Sequence, residues 1–94
     1  MADKVKILLV LARRDPLESM RVAAGLTIFG HDVRLVFTGQ PLSQEVMESD
    51  TAELLELSEI EPETTVPEMA DILEVLDRTE LSTAILQSDG VINI

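Results

Sequence analysis

Ninety-four residues with a hydrophobic content of 46% suit one small domain, and its core must be aliphatic because Phe29 and Phe37 are the only aromatic residues. The chain has no cysteine, which excludes disulfides, thiolate metal sites and thiol catalysis within it. A net charge of −11 disfavours nucleic acid as a partner, and no apolar run is long enough to cross a bilayer, so we expect a cytoplasmic protein.

The charge is unevenly distributed along the chain. Residues 1–34 carry a net charge of +2, whereas residues 35–94 carry −13. Two interpretations remain open. The acidic surface maintains solubility, or it attracts a basic partner surface, which includes the basic part of a second copy.

The first third of the chain predicts a β-α-β unit. Residues 5–12 (VKILLVLA) are typical of a strand buried on both faces. Asp15 as N-cap and Pro16 at the first helical position predict a helix that ends at Gly30. Four residues at helical spacing form its predicted buried face: Leu17, Met20, Ala24 and Ile28. A second buried strand over residues 33–38 then implies a parallel crossover.

The middle of the chain has weaker patterns. Residues 38–41 (TGQP) predict a loop, and Asp50 with Glu53 predicts a capped helix over the leucines that follow. Residues 59–64 (EIEPET) predict an exposed acidic loop. Thr65 with Glu68 predicts a second capped helix, whose apolar residues lie at i, i+3, i+4 and i+7: Met69, Ile72, Leu73 and Leu76.

The last segment allows two interpretations. Thr79 can cap a short helix over residues 80–88 with an inner face of Leu81, Ala84, Ile85 and Ser88. Asp89-Gly90 instead favours a two-residue hairpin. We favour the helix, with residues 91–94 as a closing strand. The predicted fold is a single three-layer α/β/α domain over residues 1–94 with a mostly parallel sheet, its middle topology open.

Several stretches resemble a known family. They are KILLVL at residues 6–11, AAGL at 23–26, FGHDVRLVFTG at 29–39 and SDGVINI at 88–94. They resemble the small α/β proteins of the DsrE/DsrF/DsrH-like superfamily, which includes the TusB, TusC and TusD subunits of the tRNA-thiolation sulfur relay. The stretch 30–37 is similar to the family's second strand, G-H-x-V-x-L-V-F. The resemblance covers the first 40 residues and the last seven.

This resemblance implies a role in sulfur transfer without the sulfur chemistry. Members of the family form trimers or hexamers, and active subunits carry persulfide on a cysteine in a mid-chain loop. The corresponding region, residues 59–67, has no cysteine, and neither Ser58 nor Thr64 can replace a thiolate. The resemblance therefore implies a non-catalytic DsrE-like subunit or partner protein, in a homo-oligomer or in a hetero-oligomer with a cysteine-bearing relative.

A candidate ligand site lies where the first two predicted strands end. Ligands of open α/β sheets bind at the carboxyl ends of the strands, and six residues are placed there: Arg13, Arg14, Asp15, Thr38, Gly39 and Gln40. They predict, as an alternative function, a regulatory module that binds a small anion or nucleotide. A solvated loop and an oligomer contact are the other interpretations. We assign no catalytic residue, metal ligand or cofactor, and expect no membrane partner.

Overall fold

The computed structural model describes residues 6–94. Its strands are β1 (Ile7–Ala12), β2 (Asp32–Phe37), β3 (Glu63–Thr64), β4 (Glu74–Val75) and β5 (Gly90–Asn93). Its α-helices are α1 (Pro16–Ile28), α2 (Gln44–Met47), α3 (Asp50–Leu57) and α4 (Arg78–Gln87), and a short 3-10 helix spans Pro67–Met69. The predicted first strand is confirmed from Ile7 onward; its predicted start at Val5 lies outside the described residues.

The five strands form one sheet in the order β4-β3-β2-β1-β5, and every neighbouring pair is parallel. β1 pairs with the whole of β2, from Ile7 opposite Asp32 to Ala12 opposite Phe37. On its other side, residues 8–11 of β1 pair with β5. The predicted parallel β-α-β unit is confirmed, and the sheet is parallel throughout the described chain.

Helices cover both faces of the sheet, which confirms the predicted three-layer α/β/α fold. Alternate residues of a strand point to opposite faces, so β1 and β2 contribute to two buried clusters. One cluster joins the sheet to α1 and α3: Val10, Leu35, Met20 and Leu55. The other joins the sheet to α4: Leu9, Val36 and Ala84.

Helix α1 begins and ends where the sequence predicts, but its buried face differs. The Asp15 carboxylate accepts the Glu18 N–H at 3.0 Å, and Gly30 adopts a left-handed φ of +91° just beyond the helix. Four residues are buried: Ser19, Met20, Ala23 and Ala24. Leu17 and Ile28, predicted to be buried, are exposed. The small side chains in the middle of the helix allow a close approach to the sheet, and both ends extend beyond that contact.

The predictions for residues 50 and 59–64 need correction. Ser49, not Asp50, caps α3: its hydroxyl accepts the Ala52 N–H at 3.1 Å. Ser49 also ends the preceding α2 turn, which leaves it extended and therefore in the conformation of a cap. The segment 59–64 is not simply an exposed loop, because it ends in β3 with Thr64 fully buried.

The helix predicted from Thr65 to Leu76 does not form. The chain makes only a 3-10 helix, turns, and then enters β4. Val66, not Thr65, precedes the 3-10 helix, and no side chain caps it. The Leu76 N–H instead donates to the Thr64 carbonyl at 2.8 Å. Pairing with the sheet edge therefore outweighs the local helical pattern.

The closing segment forms the helix and strand that were favoured over the hairpin. Asp77, not Thr79, is the N-cap of α4, with a reciprocal bond to Glu80. Of the predicted inner face, Ala84 is buried, whereas Ile85 is exposed. The hairpin is displaced because Asp89 binds the start of β1: the Ile7 N–H donates to its carboxylate at 2.7 Å. β5 then pairs with β1 in parallel.

Candidate ligand-binding site

The carboxyl ends of the strands meet at one edge of the sheet, because all neighbouring strands are parallel. We call this edge the carboxyl rim. It is formed by the residues that follow the strands: residues 13–15 after β1, residues 38–40 after β2, residues 65–67 after β3, residues 76–78 after β4, and Ile94. Helices α1 and α4 both begin here.

Five of the six predicted site residues line clefts at the carboxyl rim. A cleft of about 350 Å³ is lined by Arg13, Arg14, Thr38 and Gln40 among others. A neighbouring cleft of about 570 Å³ is lined by Arg13, Arg14, Thr38, Gly39, Asn93 and Ile94. We call these two the arginine clefts. The sixth residue, Asp15, lines none of the rim clefts described here, and its carboxylate caps α1.

Backbone hydrogen bonds fix the loops that carry these side chains. The Arg13 and Arg14 N–H groups both donate to the Ile94 carbonyl, at 2.8 and 3.0 Å. The Thr38 N–H donates to the Ala12 carbonyl at 2.9 Å, which extends the β1–β2 pairing by one residue. Gly39 follows with a left-handed φ of +95°, a conformation that a side chain strains. The rim loops are therefore ordered by β1, β2 and the end of the chain beside them.

The arginines of the carboxyl rim differ from the others in their partners. Arg21 pairs with Glu18, and Arg34 pairs with Glu63. The three remaining arginines of the chain all lie at the carboxyl rim: Arg13, Arg14 and Arg78. Within residues 6–94 they form no ion pair. The same edge also carries the carboxylates of Asp15 and Asp77, so its three arginines and two aspartates sum to +1 on a chain with a net charge of −11.

A third cleft, which we call the main cleft, extends from the carboxyl rim beneath the start of α4 and measures about 640 Å³. Its polar and charged lining residues are Arg13, Thr38, Thr65, Asp77, Arg78 and Glu80. Arg13 and Thr38 are among the predicted site residues, whereas the other four are not. Thr65 was predicted to cap a helix, and the cap of α4 was predicted at Thr79, two residues after the observed cap at Asp77. The D-x-x-E capping box at residues 77–80 is the local signal for Asp77 and Glu80 at the start of α4, and no local signal places Thr65 or Arg78 in the cleft.

Arg34 and Glu63 form a bidentate ion pair away from the carboxyl rim. Arg34 Nε and Nη2 donate to Glu63 Oε1 and Oε2 at 3.1 and 2.9 Å. The pKa of Arg34 is raised, chiefly by the hydrogen bond to Glu63. Partial burial acts to lower this pKa, and the negative charge of Glu74 acts to raise it further. This pair ties β2 to the short neighbouring strand β3.

The only histidine of the chain lies away from the carboxyl rim. His31 lies at the opposite, amino edge of the sheet, where its Nδ1 accepts the Lys6 N–H at 3.3 Å. Among residues 6–94, no group of three or more histidine, aspartate or glutamate side chains is arranged to hold a metal ion. In the same range, no helix is both long enough and apolar enough to cross a membrane.

No family model, curated protein or solved structure shows significant similarity to this chain. The fold therefore rests on the structure itself, and the resemblance to the DsrE-like superfamily remains a prediction from the residues quoted above.

Proposed function

We propose that this chain is a non-catalytic DsrE-like subunit or partner protein in a cytoplasmic sulfur-transfer system, where it supports a cysteine-bearing protein. The first support is the sequence resemblance, whose stretches at residues 6–11 and 29–39 include most of β1 and all of β2, two neighbouring interior strands of the sheet. The chain has no cysteine, so the thiolate must belong to the partner.

The observation that carries the proposal concerns residues 59–67, where the resemblance implies a sulfur-carrying cysteine in active subunits. In this chain the segment forms β3 and the turn after it, and Thr65 and Pro67 line the main cleft. Under this proposal, a cysteine in this segment of an active subunit would lie near the carboxyl rim, where this chain has only a hydroxyl and a proline ring. That placement supports a subunit that leaves the sulfur chemistry to its partner.

Exposed apolar side chains support assembly, as a trimer or hexamer or with a cysteine-bearing relative. Four large apolar residues are each at least 80% exposed: Ile28, Phe29, Leu57 and Leu86. All four lie where a helix ends and leads into the amino end of a strand. Exposed apolar groups of this kind favour association. This edge lies opposite the carboxyl rim, so assembly there leaves the clefts open.

The test is native mass spectrometry of the tagged protein, purified from its own cells without reducing agent. We expect a stoichiometric complex with a cysteine-bearing α/β protein whose thiol carries an extra sulfur atom. A bare homo-oligomer overturns the hetero-complex form of the proposal, and a monomer overturns both forms. Phe29→Ser should weaken assembly, whereas Gln40→Ser, at an exposed residue of the opposite carboxyl rim, should leave it intact.

A second candidate function is a regulatory module that binds a small anion or nucleotide in the arginine clefts. Its support is the convergence of Arg13 and Arg14, which have no ion pair within the described residues, beside Gln40. An Arg13→Ala/Arg14→Ala variant separates the two functions. Loss of thermal stabilisation by sulfate or a mononucleotide, with assembly intact, supports the binding module. Absence of any stabilisation by sulfate or a mononucleotide in the unsubstituted chain overturns the binding module. Assembly should survive the substitution, because the proposed assembly edge lies opposite the arginines.

A further inference from the structure

The main cleft has an aliphatic wall and a charged mouth. Its apolar lining residues are Leu11, Pro67, Val75, Leu76 and Leu81. No aromatic residue lines it, so a nucleobase finds no stacking partner there. Its volume of about 640 Å³ lies within the range of pockets that bind small organic molecules. The wall therefore suits a compact aliphatic group.

Both signs of charge line this cleft. Arg13 and Arg78 contribute the cations, and Asp77 and Glu80 contribute the anions. None of these four forms an ion pair within residues 6–94, although all line the same cleft. A dianion such as phosphate would meet both arginines but also both carboxylates, which repel it. The balance of charge favours a ligand that is itself neutral overall.

The two carboxylates retain capacity to bind a cation. The Glu80 N–H donates to Asp77 Oδ1 at 2.7 Å, and the Asp77 N–H donates to Glu80 Oε1 at 3.0 Å. These bonds use one oxygen of each carboxylate. The second oxygen of each has no hydrogen-bond partner among the described residues, while an ionised carboxylate accepts several bonds. An ammonium group is the donor that satisfies both charge and hydrogen bonding.

We propose that the main cleft binds a free α-amino acid with an aliphatic side chain. Arg13 and Arg78 hold its carboxylate, Asp77 and Glu80 hold its ammonium group, and the aliphatic wall receives its side chain. Both charged groups of the zwitterionic amino acid are then bound by side chains of opposite charge. A simple anion or a simple amine would pair with only one of the two sets of side chains. The site shares the main cleft with residues 65 and 67, on which the sulfur-transfer proposal also draws, but it lies away from the exposed apolar edge where assembly is proposed, so the two proposals are tested by different measurements.

Two arginine substitutions distinguish this site from the arginine clefts. Arg78 lines only the main cleft, Arg14 lines only the arginine clefts, and both are exposed and without an ion pair in the described chain. Arg78→Gln and Arg14→Gln are therefore matched variants, each removing one unpaired positive charge from the carboxyl rim. Arg13 lines all three clefts and cannot separate them.

The experiment is calorimetric titration of the full chain with leucine, with 4-methylpentanoate, which lacks the ammonium group, and with 3-methylbutylamine, which lacks the carboxylate. We expect leucine to bind and each single-charge analogue to bind at least about tenfold more weakly, since each leaves two charged side chains unpaired. Arg78→Gln should weaken leucine binding at least about tenfold. Arg14→Gln should leave it unchanged.

Three outcomes would overturn the proposal. They are no heat of binding with millimolar leucine, equal affinity for 4-methylpentanoate, and loss of leucine binding in Arg14→Gln but not in Arg78→Gln. Thermal unfolding of both variants, compared with the unsubstituted chain, excludes loss of fold as the cause. The native mass spectrometry described above is unaffected by these outcomes, so failure of one proposal is distinct from failure of the other.

Discussion

The Thr64 hydroxyl donates to the Phe37 carbonyl at 2.9 Å, in the interior of the protein where β3 meets β2. The same hydroxyl accepts the Val66 N–H at 3.0 Å. One buried side chain therefore forms hydrogen bonds with two backbone groups, immediately before the turn whose residues line the main cleft. It links the packing of the sheet to the geometry of the site.

Replacement of Thr64 by valine should destabilise the protein. The shape of the side chain is kept, but the Val66 N–H loses its partner in a buried position, which costs about 1–3 kcal/mol. Thr64→Ser retains both hydrogen bonds and should cost less than Thr64→Val. Chemical denaturation of the two variants measures the difference. Equal stability of the two would contradict a structural role for the hydroxyl.

The Arg34–Glu63 pair should contribute modestly to stability. Arg34 is 36% exposed and Glu63 14% exposed, so solvent screens the pair, and we expect a coupling free energy of about 0.5–1 kcal/mol. A double-mutant cycle of Arg34→Met and Glu63→Gln measures it. Arg34→Lys should retain only part of the coupling free energy, because lysine cannot form the bidentate contact. A coupling energy of zero would show that the pair is incidental.

The direction of the Arg34 pKa predicts how this contribution depends on pH. The pKa is raised in the folded protein, chiefly by the hydrogen bond to Glu63. The arginine's contribution is therefore complete below its ordinary pKa, and it is lost only as the pH rises through the higher folded value. Across neutral and mildly alkaline pH the coupling energy should stay constant. A decline of the coupling free energy over that pH interval would show that a group other than Arg34 causes the pH dependence.

The β1-α1-β2 unit was predictable because its local signals agree with its packing. Asp15 caps the helix and Gly30 ends it, and both positions depend only on nearby residues. The exact buried face was not predictable. Leu17 and Ile28 fit the helical period, but exposure depends on where the sheet lies beneath the helix.

The middle of the chain was mispredicted because β3 and β4 are two residues long and have no periodicity to recognise. Their position depends on long-range bonds, such as that between the Leu76 N–H and the Thr64 carbonyl. The same limit applies to the site. Arg13 and Thr38 follow from the rule for strand ends, whereas Arg78 and Thr65 reach the cleft only through the placement of β4 and α4.

Alanine substitutions at two glycines, one inside α1 and one just beyond its end, should change the stability of the protein in opposite directions. Gly30 has a φ of +91°, so Gly30→Ala should destabilise the protein by about 1 kcal/mol. Gly25 lies inside α1, and a Cβ there meets no atom within 4 Å, so Gly25→Ala should stabilise it by about 0.5–1 kcal/mol. Thermal unfolding measures both. Effects of the same sign would contradict the position of the helix end.

Asp77 should have two separable roles, one in stability and one in binding. Serine is also a good N-cap, so Asp77→Ser should leave thermal stability nearly unchanged, whereas Asp77→Ala should cost about 1 kcal/mol. Thr79→Ala should cost little, because Thr79 is not the cap. Both Asp77 variants remove the carboxylate that faces the main cleft, so both should weaken leucine binding in the same calorimetric titration. If Asp77→Ser retains full leucine affinity, the Asp77 carboxylate does not contact the ammonium group.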